Sequence, residues 1–260
     1  MRRRAFSLVE LLVVVAILAV LLSVLLPGLQ HARAQAQTAV CGTHLREIAL
    51  ANALYAGDHE YRYCPGAANF VTRNLHRWHG TRQRPSEPFT SAGGPLTPYL
   101  GPEGRIRACP GLPGGRPSDG TRGFERNCGG YGYNLAYLGR ELDSDASGLC
   151  RVVTDLHGAR VDAVRHPEAT LMFADSAFVS GEPVEYSFAE PRYFPVYGTR
   201  ADPSVHFRHR RWANVAWADG HVDRRQMTFT WRSGLYPGDP GTCDVGWFGR
   251  DDDNSLFDLD

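Results

Sequence analysis

The chain begins with a run of apolar positions that has no counterpart later. After Met1-Arg2-Arg3-Arg4, residues 6–26 are apolar except for Ser7, Glu10 and Ser23. Twenty-one residues make about 31 Å of helix, enough to cross the hydrocarbon core of a bilayer. Past Pro27 the pattern becomes amphipathic: Leu29, Ala32, Ala36, Val40, Leu45, Ile48, Asn52 and Tyr55 recur at roughly three- and four-residue steps, and Gly57 ends the run. The pattern predicts one helix over residues 6–56, about 75 Å long, with a kink or local melting at Pro27. Its second half is short-striped and alanine-rich without sustained heptads. It is therefore expected to pack on the chain's own head rather than in a coiled coil.

From residue 57 the pattern breaks up. Glycine and proline cluster in stretches such as Ser91-Ala92-Gly93-Gly94-Pro95 and Pro110-Gly111-Leu112-Pro113-Gly114-Gly115, which are loop signals. Between them lie short strand-like pieces over 151–153, 169–174 and 214–218, and a short turn is expected over 162–166 before Pro167. Asp219-Gly220 reads as a two-residue hairpin turn between a strand and its return. The fold class expected is α+β, a long N-terminal helix packed on a loop-rich antiparallel sheet. The divisions are 1–5, 6–27, 28–56 and a head over 57–260, with the hairpin near 209–220.

Charge changes the picture in two ways. The 28 basic residues balance 28 acidic ones, and every basic residue is arginine. Zero net charge argues against a nucleic-acid partner held by phosphate neutralisation. The absence of lysine excludes Schiff-base and phosphate-loop lysine chemistry. Three arginines precede the apolar run and none lies within it, which places the N-terminus in the cytoplasm and the head beyond the membrane. Removing residues 1–5 would leave 25 basic against 28 acidic side chains.

Glu10 is the discordant residue. A carboxylate inside an apolar span is costly in lipid unless it is paired, which marks it as functional. A secretory signal is the competing reading, but the apolar run is long and residues 30–37 continue a helical pattern where a cleavage site would break it. Ala5-Phe6-Ser7-Leu8-Val9-Glu10 resembles the processing site of type IV prepilins and type II secretion pseudopilins. The resemblance implies cleavage between Ala5 and Phe6 by a prepilin peptidase, N-methylation of Phe6, and a role for Glu10 in assembly. There it pairs with the Phe6 ammonium of a neighbouring subunit. Ala5 departs from the family's usual glycine. The pilin layout, a single pass through the inner membrane, a periplasmic head and partner subunits in a filament follow from the same resemblance. No catalytic residue and no cofactor are implied.

The six cysteines, Cys41, Cys64, Cys109, Cys128, Cys150 and Cys243, read as disulfides in an exported head. Fifteen pairings are possible; Cys41 with Cys109 is preferred because it would tie head to stem. His209, Asp219, His221 and Asp223 offer metal-ligand chemistry, yet Asp-Gly is common in turns and a structural reading is favoured, with no metal. His209, nine residues, then Asp219-Gly220 resembles the H-X9-DG element of prepilin-like proteins of planctomycetes and related bacteria. Tyr131-Gly132-Tyr133-Asn134, Arg107-Ala108-Cys109-Pro110 and His166-Pro167-Glu168-Ala169-Thr170-Leu171 resemble head motifs of that group. His209, Asp219 and Gly220 are signature residues without an implied activity. The acidic Asp251-Asp252-Asp253-Asn254 could hold calcium, although it lacks an EF-hand pattern, and a solvated, partly disordered tail is expected.

Three functions follow from these features. A structural filament subunit leads. The alternative is a membrane-anchored head that binds a ligand or substrate, with Trp212, Trp217, Trp231, Trp247 and the tyrosines as its surface. A metal-dependent hydrolase built on the His and Asp residues comes last, without a nucleophile elbow or zinc-helix motif to support it.

Overall fold

The structure is a computed structural model and describes residues 8–112, 125–144 and 150–260. Ala5 and Phe6 lie outside the described residues. One helix, Leu8–Asp58, runs for 51 residues, about 77 Å by its rise. It continues through Pro27 without a break. A proline there removes only the hydrogen bond to the Ser23 carbonyl, and a helix otherwise made of good formers tolerates that loss. The helix does not end on Gly57. Asp58 is its last residue, and the chain turns away through Glu60 and Tyr61, both at positive φ (54° and 57°), with the Tyr61 N–H donating to the Ala56 carbonyl.

The head is built on a four-stranded antiparallel sheet in the order Val222–Gln226, Trp212–Trp217, Leu171–Asp175, Tyr131–Tyr133. Among the described residues there are also four two-stranded sheets. The central strands are buried on both faces, which is why 171–175 and 213–217 read as nearly continuous apolar runs. Alternation divides the sheet between two cores. Tyr131, Tyr133, Phe173 and Ala216 pack toward Cys41, Leu45, Ile48 and Ala49 of the helix. Leu171, Ala174, Ala213, Val215 and Trp217 pack on the other side with Val205, Phe207, Trp247, Phe248 and Phe257. A shift of register between Ala216 and Trp217 lets Trp217 pair with Leu171 and keeps both strands in phase with these cores.

The structure corrects the expected helix stripe. From Leu45 onward the periodicity selects Leu45, Ile48 and Asn52 correctly, but Ala49, Ala51 and Ala56 are buried as well and Tyr55 is only partly so. N-terminal to Leu45 the buried positions are Thr38 and Cys41, whereas Leu29 (66 % exposed) and Val40 (44 %) face outward. The helix turns small residues to the head where the sheet comes closest and leaves the larger apolar ones outside. The hairpin turn is also longer than expected. Gly220 N–H bonds Trp217 O, Trp217 N–H bonds His221 O, and Gly220 has φ of 87°, so the loop is Ala218-Asp219-Gly220 with the glycine as a left-handed bulge.

The acidic tail is not a solvated appendage. Phe257 is 3 % exposed, and backbone or side-chain donors reach its carbonyls: Leu171 N to Leu256 O, Asn134 Nδ2 to Phe257 O and Arg165 N to Leu259 O. Phe257 enters the second core, where its apolar burial outweighs the charge around it.

Candidate functional site

Two regions carry the candidate chemistry: the free half of the helix, and the place where the helix meets the head. Over residues 8–29 every apolar side chain large enough to pack is at least 47 % exposed, from Val14 at 47 % to Leu8 at 79 %. Glu10 lies among them, also exposed. The helix is one of a length and composition that can cross a membrane. An exposed apolar surface this long in one protein signals a lipid or protein environment that covers it.

At the junction, a disulfide joins Cys41 on the helix to Cys109 in the head, with Cα atoms 5.3 Å apart. Both are buried, at 0 % and 3 % exposure. Cys64 and Cys128 are buried thiols and Cys243 is a partly buried one, so the expectation that the cysteines pair throughout is corrected. Burial pushes the Cys64 and Cys128 thiols up in pKa, leaving them inert packing groups. His209 sits against the disulfide, its Nε2 3.5 Å from Cys109 Sγ. The same nitrogen lies 3.3 Å from Asp175 Oδ2, and Nδ1 lies 3.4 Å from the Thr38 hydroxyl.

Asp175 organises this junction. It stands at the end of Leu171–Asp175, fully buried on the face toward the helix. Arg208 bonds its Oδ1 at 3.0 Å, and the Asn214 backbone N–H and Nδ2 donate to Oδ2 at 2.7 and 3.0 Å. Burial alone would raise its pKa. The Arg208 charge and the hydrogen bonds from His209 and Asn214 together outweigh burial and hold it below the usual carboxylate range. Arg208 also donates to Ser176 O and Gly130 O, so its charge is held from three sides.

The three signature residues do not form one site. His209 is at the helix end of Trp212–Trp217, while Asp219 and Gly220 are at its far end. Asp219 accepts from its own neighbour, His221 N at 3.0 Å and His221 Nδ1 at 2.7 Å, and its backbone N–H bonds Pro167 O. Thr170 O accepts from Ala218 N, so the His166-to-Leu171 segment holds the turn in place. Asp223 accepts from Trp217 Nε1. His209 and the Asp219, His221, Asp223 group are thus placed apart, and the metal reading built on the four of them loses its geometry. The calcium reading fares no better. Asp252 is tied to Arg192 and Arg200, Asp253 to Ser255, and Asn254 to Tyr137 and Tyr193. Three of the four tryptophans are taken up in the fold: Trp247 and Trp217 are 0 % and 1 % exposed, and Trp231 Nε1 donates to Ala201 O, while Trp212 is partly exposed.

Sequence reasoning missed Asp175 and Asn52. Nothing near Asp175 in sequence marks it, because its partners are 33 to 39 residues away. Asn52 lay in the expected stripe as if apolar. It is fully buried, accepting from Cys64 N–H at 2.9 Å and donating to Tyr133 Oη at 3.1 Å. The Tyr131-to-Asn134 motif has a parallel role. Tyr131 Oη meets His44, Tyr133 Oη meets Asn52, and Asn134 bonds the Leu171 and Phe257 carbonyls. Gly132 sits so close to the Phe188 backbone that a Cβ would lie 2.4 Å from it.

No curated protein and no solved structure matches the chain. Residues 1–26 match the family model described as the prokaryotic N-terminal methylation motif, which supports a prepilin-type precursor with a membrane-anchoring helix.

Proposed function

We propose that the chain is a pilin-type or pseudopilin-type structural subunit. A prepilin peptidase cuts between Ala5 and Phe6, Phe6 is N-methylated, and the mature subunit waits in the inner membrane until it joins a filament. The observation that carries this reading is the match of residues 1–26 to the methylation motif on a helix whose apolar half is exposed from residue 8 to residue 29. Lipid covers that half before assembly, and neighbouring helices cover it after. The arginines at 2–4 hold the N-terminus in the cytoplasm, which puts the head in the periplasm.

Glu10 drives the transfer between these environments. A carboxylate inside a membrane helix costs about 2.5–3.5 kcal/mol on insertion scales. Pairing with the Phe6 ammonium of a neighbour offsets that cost within the filament. Mass spectrometry of the N-terminus of the native protein tests the reading. The expected result is a mature chain that begins with methylated Phe6; an intact Met1, or a cut beyond Pro27, overturns it.

The alternative, a membrane-anchored ligand-binding head, draws on one feature. An open cleft of about 670 Å³ lies between the helix and the edge strand, lined by Gln35, Thr38, Gly42, Arg46, Asn214 and Arg224 among others. It is wide open to solvent, and the buried tryptophans are not part of it, so the structural-subunit reading is preferred.

A further inference from the structure

The helix–head junction gathers the donors of a thiophilic metal in one dry spot. The sulfurs of Cys41 and Cys109 and a ring nitrogen of His209 all lie within 4.8 Å of one another, and the three residues are 0 %, 3 % and 5 % exposed. His209 Nε2 is 3.5 Å from Cys109 Sγ and 3.3 Å from Asp175 Oδ2. In a tetrahedral zinc site, with Zn–S about 2.3 Å and Zn–N and Zn–O about 2.0–2.2 Å, the sulfur-to-nitrogen edge is about 3.5 Å and the nitrogen-to-oxygen edge about 3.4 Å. The sulfur-to-nitrogen edge of such a tetrahedron is therefore already in place. The sulfur–sulfur edge opens only when the disulfide is not formed.

We propose that the chain in its dithiol form binds one zinc ion at this junction through the Cys41 and Cys109 thiolates and His209 Nε2, with water as the fourth ligand. The surroundings suit this. The Thr38 hydroxyl already donates to the Ala34 carbonyl at 2.9 Å, so toward His209 Nδ1 it acts as an acceptor. With zinc bound, the ring proton that Nε2 presents to Asp175 in the disulfide form moves to Nδ1, where the Thr38 hydroxyl accepts it, and the Nε2 lone pair turns to the metal, the outer-shell arrangement that metal-bound histidines use. Charge closes as well. Two thiolates and the Asp175 carboxylate face the two charges of zinc and the Arg208 guanidinium, which already bonds the other Asp175 oxygen.

Zinc and the disulfide are mutually exclusive occupants of the same two sulfurs. Binding releases the two thiol protons and moves no electrons. Conversion to the disulfide form takes two electrons from the thiolates to a disulfide-bearing oxidant, which leaves as two thiolates, and zinc is expelled. In either form the helix is tied to the head at Cys41. This proposal is independent of the filament reading.

The test uses the full chain in detergent, reduced with a phosphine without oxygen, then given zinc or cobalt(II) and passed through gel filtration. The expected result is one zinc per chain, thiolate-to-cobalt charge transfer with tetrahedral d–d bands, and protection of Cys41 and Cys109 from alkylation as mapped by mass spectrometry. The oxidised chain should bind none. His209→Gln and Cys109→Ser should each weaken binding at least about tenfold, with helical circular dichroism retained. A Cys64→Ala, Cys128→Ala, Cys243→Ala variant should bind as the wild type does. Reduced wild-type chain without stoichiometric zinc, equal binding by the oxidised chain, or zinc-dependent protection, relative to the zinc-free reduced chain, that falls on cysteines other than Cys41 and Cys109 overturns the proposal.

Discussion

Asn52 illustrates how a single polar side chain holds this molecule together. It sits in mid-helix, where asparagine is a poor helix former, yet it is fully buried and bonded on both sides, to the Cys64 backbone and the Tyr133 hydroxyl. The Cys64 carbonyl in turn accepts from Tyr133 Oη. Helix, the chain leaving it and the central sheet thus share one polar knot in an otherwise apolar core. Asn52→Ala orphans a buried backbone N–H and is expected to cost about 1–3 kcal/mol. Denaturant titration of the full chain checks this, and an unchanged midpoint would show that water replaces the amide. Arg77 is a second such residue. It is 1 % exposed, bonded to Glu125 through two nitrogens and ringed by Phe70, Phe89 and Phe188 at 4.8–5.2 Å. The pair is fully desolvated, so its removal from one side would leave a bare charge.

Among the elements, the helix works as two different objects. Residues 8–29 are apolar apart from Glu10 and Ser23 and exposed along their length, so their face is chosen by whatever surrounds them. From Thr38 onward the helix presents Thr38, Cys41, Leu45, Ile48, Asn52 and Ala56 to the sheet at three- and four-residue steps. The disulfide lies near the upper end of this packed half and closes a loop over a sequence separation of 68. Restricting an unfolded loop of that size is worth about 2–4 kcal/mol. The Cys41→Ser, Cys109→Ser double variant should therefore be less stable by that amount and melt earlier, read from thermal unfolding against the oxidised wild type. Unfolding at the same temperature would mean that the sheet alone fixes the helix. The central hairpin obeys a similar logic at its far end, where the His166-to-Leu171 segment bonds the backbone of Ala218 and Asp219 and sets the turn.

At the scale of the molecule, buried titratable groups set how stability responds to acid. Burial, with Arg77 beside it, lowers His79 from 6.5 to about 3; burial and the neighbouring Arg208 do the same to His206. Both rings are neutral in the fold and gain protons more readily in the unfolded chain. Their contribution is complete above pH 6.5 and is lost as the pH falls from 6.5 toward 3. Asp258 opposes them. Burial, with Asp260 and Asp253 nearby, raises it to about 6, so its protonation favours the fold as the pH falls through 6. Two histidines with larger shifts outweigh one carboxyl, and the melting temperature should fall steadily below pH 6.5. His79→Gln should flatten that slope; a melting temperature constant from pH 7 to 4.5 would show that His79 and His206 do not remain neutral.

Much of this organisation is legible in the chain itself. The membrane-length helix, the methylation motif, the strand at residues 212–217 and its Asp-Gly return are local: each depends on neighbours within a few positions, so periodicity and turn chemistry disclose them. What periodicity could not supply was phase and partnership. Thr38 and Cys41 face the head in place of Leu29 and Val40 because the sheet approaches the helix there, and that approach is set by residues more than a hundred positions away. The acidic tail looked solvated because its charges are visible in sequence, while the core that receives Phe257 is not. His209 stood out in the sequence, but its partner Asp175 did not, since only the folded sheet brings the carboxylate beneath the helix beside the disulfide. The sequence alone determined where the chain is apolar enough to leave water and where it turns. The tertiary structure decided which polar groups meet in the dry interior, because such groups are stable there only when partners from distant segments arrive together.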